Sequence, residues 1–542
     1  MPAARYTTLV ICVIAAIVLT FCWQLGYFSG WWAAIAALLS VVGFYDMAQD
    51  RHSVLRNYPV IGHLRYIFEF IRPEMRQYFF ESDTDSIPFS RHQRAIVYQR
   101  AKRQLDKRPF GTHFDVYGEG YEWLNHSMTP AALGSHDFRV VIGGEPQQGE
   151  NTHDCTQPYD ASIFNISAMS FGSLSANAIE ALNMGAKRGG FAHDTGEGSI
   201  SRYHRKHGGD LIWEIGSGYF GCRNDDGTFN EERYIKHANE PQVKMIEIKL
   251  SQGAKPGHGG MLPGPKVTPE IAEARGVPPW RDVISPASHS AFRTPIELLR
   301  WLDRLRGLSG GKPVGFKFAM GHPWEWFAIC KAMIQTGITP DFIVVDGKEG
   351  GTGAAPVEFL DRIGTPMRDA LVLVHNSLVG INLRHRVRIG VAGKVVSAFD
   401  IARVMALGAD WCNSGRAFMF AVGCIQAQSC HTGKCPTGVA TQDQARQKAL
   451  VVPDKAERVY HFHENTLKAL AELVAAAGCT HPEQLEPHHI VSRISQNRVQ
   501  TLATLYPQLK PGELLDADLE PAVFKRFWSM ASAHTFEPQH GF

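Results

Sequence analysis

Cys424, Cys430 and Cys435 stand in the segment GCIQAQSCHTGKCPTGVATQ in a C-x5-C-x4-C pattern, with a proline directly after the third. Three thiolates in a short glycine-containing loop can hold an iron–sulfur cluster, because cysteine sulfur is the usual ligand of such iron. Zinc is the alternative, with His431 as a fourth ligand, although the adjacent Cys430 and His431 match zinc spacings poorly. A third reading makes the thiols small buried hydrophobes. The remaining cysteines, at 12, 22, 155, 222, 330, 412 and 479, show no ligand spacing, and are expected as free thiols of a reducing compartment.

Lysines and glycines supply the second set of signals. KLSQGAKPGHGGMLPG (249–264) places Lys249, Gln252 and Lys255 ahead of a glycine-rich loop. Two ammonium groups and an amide can bind a dicarboxylate or the pyrimidine edge of a flavin, with solvated surface lysines as the plain alternative. Lys317 alternates within VGFKFA, so it points inward and needs a partner there. DGKEGGTGAAP (346–356), Ala392-Gly393-Lys394 and Ser414-Gly415-Arg416 each follow an apolar run, and the last two lead into helical patterns. Backbone N–H groups in such loops bind phosphate. Each loop alone reads as an ordinary turn; three together imply a phosphorylated cofactor.

Elements must bring these groups together. From about residue 160, β-branched runs alternate with amphipathic stretches: candidate strands at 163–169, 190–195, 243–250, 314–319, 342–347, 387–393 and 409–415, with a weaker one, DVISP, at 282. Candidate helices fall at 173–188, 295–308, 324–336, 371–385 and 397–407. Eight strands alternating with helices suit a parallel (β/α)8 TIM barrel, whose reactive groups stand at the carboxyl ends of the strands; a doubly wound sheet is the competing architecture.

Composition sets the outer limits. A chain of 542 residues with 44% hydrophobic and 20% charged content is ordinary globular usage, and a net charge of +2 gives no broad footprint for nucleic acid. The N-terminus departs from this average. Residues 7–23 and 31–45 are two uncharged runs bounded by Trp23, Tyr27, Trp31, Trp32 and Tyr45, which reads as a transmembrane helical hairpin with aromatic ends. A signal peptide or a pair of core helices would be the alternatives. Arg5 before it and Arg51, Arg56 and Arg65 after it place both ends in the cytoplasm. The expected organisation is a transmembrane hairpin (1–46), a helical linker or cap (47–155), the barrel with its cysteine loop (156–445) and a helical tail (446–542).

SAMSFGSLS (167–175), DTGEGS (194–199), the 249–264 loop, ISP (284–286), DGKEGGTGAAP and, above all, CIQAQSCHTGKCPTGVATQ resemble, in order, the FMN-binding synthase domain of glutamate synthase. The resemblance implies a (β/α)8 barrel carrying FMN and a [3Fe–4S] cluster on Cys424, Cys430 and Cys435, and reductive amination of 2-oxoglutarate through 2-iminoglutarate. It implies Met169, Ser170 and Gln252 at the flavin, Lys317 near its pyrimidine edge, and Gly351, Gly353, Gly393, Gly415 and Arg416 along the ribityl phosphate. Lys249 and Lys255 match lysines of the flavin and oxoacid site, and Glu197 matches an acidic residue expected to donate or position a proton. Tyr219, His258 and Met261 replace the family's arginine, glutamate and glutamine, removing charge close to the expected oxoacid site. No amidotransferase segment or long β-helical domain is expected. Nitrogen would then come as ammonia or from a partner subunit, and electrons from a redox partner, ferredoxin-like or a reductase subunit. Two other functions stay open: a membrane-docked FMN and iron–sulfur oxidoreductase exchanging electrons with a quinone or redox protein, and a non-catalytic membrane scaffold.

Overall fold

Eight apolar runs close on one another as parallel strands: β1 (Phe164–Ile166), β2 (His193–Asp194), β3 (Leu211–Ile215), β4 (Val243–Lys249), β5 (Val314–Phe318), β6 (Phe342–Asp346), β7 (Arg388–Ala392) and β8 (Trp411–Ser414). In this computed structural model, which describes residues 3–84, 88–516 and 522–539, each strand pairs with the next and β8 closes on β1 through Asn413 opposite Asn165. The barrel expected from the sequence is the one observed. Residues of β3 and β5 are buried on both faces, as in parallel sheets walled by helices.

Local chemistry starts and stops those helices. Thr294 and Glu297 form a capping box ahead of Pro295–Leu308, and Ser397 with Asp400 does the same for Ala398–Ala406. Gly190, in the left-handed conformation at φ 64°, ends Ala176–Gly189.

Two sequence expectations need correction. DVISP is not a barrel strand: Val283–Ile284 pairs antiparallel with Met261–Leu262 in the loop after β4. The barrel strand in its place is LIWEI (β3), a five-residue run with Glu214 as its fourth residue. The flanks are also less helical than expected. In the 47–155 stretch the last helix is Arg91–Ala101, and Glu122–Leu124 and Arg139–Ile142 are strands. The C-terminal stretch opens with the helix Val452–Ala476 but then forms a hairpin, Ile490–Ser495 and Arg498–Thr501, against Glu122–Leu124. Alternating side chains on either side of Gln496-Asn497 favour that turn.

Val452–Ala476 packs on Ala176–Gly189. Their close approach depends on Gly185, where an added Cβ would stand 2.6 Å from Val459 and 2.8 Å from the Ala456 carbonyl oxygen.

Residues 1–85 form a compact unit of their own, separate from 86–542. Its helices are α1 (Thr7–Gln24), α2 (Gly30–Ala48), α3 (Ser53–Asn57) and α4 (Gly62–Met75), the last running into a π turn, Arg76–Phe80. α1 and α2 are long and apolar enough to cross a membrane by length and composition. Ala33, Ala36, Ser40 and Gly43 make the buried face of α2, small residues that let α1 come close; an added Cβ on Gly43 would strike Leu9.

Replacing Gly185 with Ala should destabilise the barrel unit by about 1–3 kcal/mol through overpacking, read as a lower melting temperature. An unchanged melting temperature would contradict the close packing of these two helices.

Candidate active site

Alternation along β4 puts Glu247 and Lys249 on the same, inward face. Register places Glu214 of β3 beside Glu247, and Lys317 of β5 beside Lys249. The result is a ladder of alternating charge inside the barrel. The Lys317 ammonium bonds Glu214 and lies 3.1 Å from Glu247. Lys249 lies 4.0 Å from Glu214 and 2.6 Å from Glu197 at the mouth. Asp194, Glu214 and Glu247 are all buried and offer oxygens within 4.8 Å of one another.

Three carboxylates in so small a volume cannot all stay charged against Lys317 and a share of Lys249. Burial, reinforced by Glu247, lifts Asp194 well above the usual carboxylate range. Burial also carries Glu247 up to about 7, although Lys317 pulls the other way. Lys317 is held firmly protonated: burial opposes its charge, but Glu214, Glu247 and Asp194 outweigh it. Thus the partner that a buried Lys317 requires is this acidic set.

At the mouth the balance reverses. Burial would raise Glu197, but the ammonium of Lys249, then Arg275 and Lys255, bring it down to about 2. Glu197 is therefore held as a carboxylate at neutral pH, which suits the positioning alternative of its expected role and not the donor one. Arg275 is buried, donates to Ser170 Oγ at 3.4 Å and to the Phe171 carbonyl at 3.3 Å, and its Nε has no hydrogen-bond partner among the described residues. Lys255 donates to the Gly259 carbonyl at 3.1 Å, and Gln252 Oε1 is 3.4 Å from Lys249 Nζ. An added Cβ on Gly260 would stand 2.4 Å from Glu197 Oε1, so a side chain there would displace that carboxylate. Three cations thus converge on a single carboxylate.

Behind Lys249, a run of hydrogen bonds passes through His289 to Tyr219. His289 Nε2 donates to the Lys249 carbonyl at 2.9 Å, so its Nδ1 is the acceptor, at 3.2 Å, for the Tyr219 hydroxyl. The Tyr219 oxygen in turn accepts from the N–H groups of Ser290 and Ala291. Burial keeps His289 neutral, down at about 4. Tyr219 is fully buried, so its substitution alters the packing behind Lys249. His258 and Met261 are exposed.

The glycine loops stand at the same end of the barrel. Asp346 accepts from the Gly253 N–H at 2.9 Å, tying the loop after β4 to β6. Met169 Sδ lies 3.7 Å from where a Cβ on Gly415 would be, and Arg416 Nη2 lies 3.5 Å from the corresponding point on Gly351. Among the described residues, a Cβ on Gly353 would come within 4 Å of Cys430 alone, at 3.8 Å. Gly393 packs against Met367 and Glu349. The cysteine loop therefore abuts the glycine-lined opening.

All ten cysteines are free thiols. Cys424 feels both Cys430 and Cys435, though burial is what chiefly raises it, to about 11. Cys435 is lowered: burial opposes this, but N–H groups of Ala440, Thr437 and Val439 and the Thr437 hydroxyl favour the thiolate. Lys266 donates to the Cys430 carbonyl at 2.7 Å.

Residues 137–480 match the profile described as the conserved region in glutamate synthase. The glutamate synthase large subunit-like protein YerD of Bacillus subtilis (strain 168) is 37% identical over 495 residues, covering 85% of this chain and 94% of that one. The chain belongs to the glutamate synthase family. That family membership makes it an oxidoreductase of the class acting on CH–NH2 groups. The archaeal-type glutamate synthase [NADPH] of Thermotoga maritima is 35% identical over 399 residues, covering 71% of this chain and 75% of that one. Among solved structures, a flavocytochrome b2 variant with sulfite bound aligns at TM-score 0.42 and 12% identity, covering 84% of this chain and 92% of that one.

Of the residues singled out in this glutamate synthase-like sequence, Glu197, Lys249, Gln252 and Lys255 gather at the mouth. Met169, Ser170, Gly351, Gly353, Gly415 and Arg416 border the opening, and Lys317 sits deeper, in the acidic set. Arg275 was missed. It ends a seven-residue helix, Pro269–Arg275, and in sequence reads as a surface arginine at a helix C-terminus.

Because Glu247 keeps a proton that the unfolded chain sheds, its contribution to stability is complete below about pH 4.5 and lost as pH rises through about 7. Glu247→Gln should flatten the fall of the melting temperature across that window. An identical slope in the variant would contradict the shared proton.

Proposed function

We propose that this protein is a membrane-anchored FMN and iron–sulfur enzyme that reductively aminates 2-oxoglutarate, or a closely related oxoacid, using free ammonia and an external electron donor. The observation that carries the substrate class is the excess of cations at the mouth. Lys249, Lys255 and Arg275 act on one carboxylate, Glu197, so a dianion restores neutrality in a partly buried site.

The residues present fit the implied groups. Gly351, Gly353 and Gly415 leave space where side chains would fill the opening, beside the guanidinium of Arg416. Cys424, Cys430 and Cys435 offer three sulfurs, with backbone donors around Cys435 favouring its thiolate. When bound, FMN would supply hydride and a [3Fe–4S] cluster on these thiolates would supply single electrons.

The chain's own groups do the rest. Met169, Ser170 and Gln252 border the ring site, Gly393 and Arg416 the phosphate path, and Lys255 and Arg275 take the substrate carboxylates. Ammonia condenses with the 2-oxo carbon and expels water; the resulting imine accepts hydride at carbon and a proton at nitrogen. Lys249 is the proton donor. Glu197, ionised at 2.6 Å from Lys249 Nζ, orients that ammonium and stabilises its charge. Lys317, held protonated by Glu214 and Glu247 one layer below, would stand near the pyrimidine edge of a bound flavin.

The two apolar helices support an anchor. Thr20 and Ser40 donate to carbonyls one turn back within their own helices, at 2.6 and 2.8 Å, which removes the cost of those hydroxyls in lipid. The arginines that follow α2 put residues 86–542 on the cytoplasmic side. The electron donor is then a separate redox protein or subunit.

One observation favours a second reading, in which the barrel exchanges electrons with a quinone or redox protein. His258 and Met261 are exposed where the family carries glutamate and glutamine. A single assay decides between them: protein with its flavin chemically reduced is given 2-oxoglutarate and ammonia without oxygen. Flavin reoxidation with stoichiometric glutamate is expected; reoxidation only after a quinone or redox protein is added would overturn the first reading. Arg275→Met should raise KM for the oxoacid about 10- to 100-fold, the worth of a charge-assisted hydrogen bond, with flavin content unchanged. An unchanged KM would remove Arg275 from the oxoacid site.

A further inference from the structure

The unit formed by residues 1–85 contains an apolar surface that the hairpin does not account for. In α4, Leu64, Ile67, Phe68, Ile71 and Met75 recur at i, i+3, i+4, i+7 and i+11, so they share one face. That face is exposed, with Phe68 at 62%, and the turn after it exposes Tyr78, Phe79 and Phe80. Arg65, Arg72 and Arg76 form a row along the adjacent side, all exposed, with Glu69 paired to Arg65 at 3.0 Å. From 51 to 80 the chain carries five arginines against Glu69 and Glu74.

The position of α4 relative to the hairpin is fixed. Asp46, fully buried in the last turn of α2, accepts from the Val60 N–H at 2.9 Å and from His63 Nε2 at 2.9 Å. Val60 is held in the left-handed region at φ 66°, rare for a β-branched residue, and its Cγ2 would stand 2.8 Å from a Cβ on Gly43. The chain is thus pinned to the end of α2 as it turns into α4. If α2 spans a bilayer, α4 starts at the level of the headgroups.

We propose that α4 and the Arg76–Phe80 turn lie in the plane of the cytoplasmic membrane interface, the apolar face in the acyl boundary and the arginine row against anionic headgroups. This inference rests on the membrane reading of α1 and α2. A helix with one apolar and one basic face buries the first about 5–10 Å into that boundary, and juxtamembrane arginines are attracted to anionic lipid. The consequence is a lipid-dependent third contact, alongside the two spans.

The test uses the full chain with its cofactors in phosphatidylcholine/phosphatidylglycerol nanodiscs, carrying a spin-labelled non-natural residue in turn at Ile17, Phe68 and Glu69, and compares accessibility to oxygen and to an aqueous nickel chelate. At Phe68, oxygen accessibility should exceed nickel accessibility several-fold, with the order reversed at Glu69 and oxygen dominant at Ile17. A nickel-accessible Phe68 with a lipid-exposed Ile17 overturns this proposal alone. A Phe68 label reached by neither reagent means that a second copy or a partner protein covers the face, and also overturns it. A nickel-accessible Ile17 overturns the hairpin reading on which it rests. In phosphatidylcholine alone the Phe68 label should shift toward water; an unchanged reading overturns the headgroup half.

Discussion

Lys317 is surrounded by Glu214, Glu247 and Asp194 in the barrel interior, and the rest of the site is built upward from that contact. A buried ammonium without partners, or buried carboxylates without one, would cost several kcal/mol. Each charge in the ladder therefore fixes the next: Glu214 reaches Lys249, Lys249 reaches Glu197, and Glu197 sits under Arg275 and Lys255. The strands supply the inner part of this order, because register and the two-residue period of β4 set how Glu214, Glu247, Lys249 and Lys317 meet; Glu197 comes from the loop after β2, and Lys255 and Arg275 from the long loop after β4. The outcome is an interior short of positive charge and a mouth short of negative charge, a few side chains apart.

In the proposed function, that gradient is what would give the mouth its selectivity. Burial weakens the ability of water to compensate the spare cations, so a ligand would be discriminated there by how many carboxylates it brings. The hydrogen bonds behind Lys249, through His289 to Tyr219, hold its backbone while its ammonium answers to Glu197. The glycine-lined opening and the cysteine loop meet at Gly353 and Cys430, so redox groups seated there would adjoin the same charged mouth.

The barrel was legible in the sequence because parallel strands buried on both faces appear as short apolar runs, and seven of eight stood out. The eighth, LIWEI, did not: it is five residues long with Glu214 as the fourth, whereas VKMIEIKL carries Glu247 within a longer run. Lys317 could be read as inward-pointing from alternation alone. Its partners could not, since Glu214 and Glu247 come from other strands and meet it only through barrel closure, although Glu247 shares its parity with Lys249 in VKMIEIKL. Arg275 gave no local sign, lying at the end of a short helix in the long loop after β4. The C-terminal hairpin was obscured by the strong helical period of Val452–Ala476 that precedes it.

The central claim is that the mouth holds two more cations than it can neutralise from within. Calorimetric titration of the oxidised, cofactor-loaded protein with 2-oxoglutarate and with 2-oxobutyrate, which keeps the oxoacid end but lacks the second carboxylate, tests it directly. The account predicts binding of 2-oxoglutarate tighter by at least about tenfold, the lower value for one charge-assisted contact. Equal affinities, or a preference for the monoanion, would contradict it.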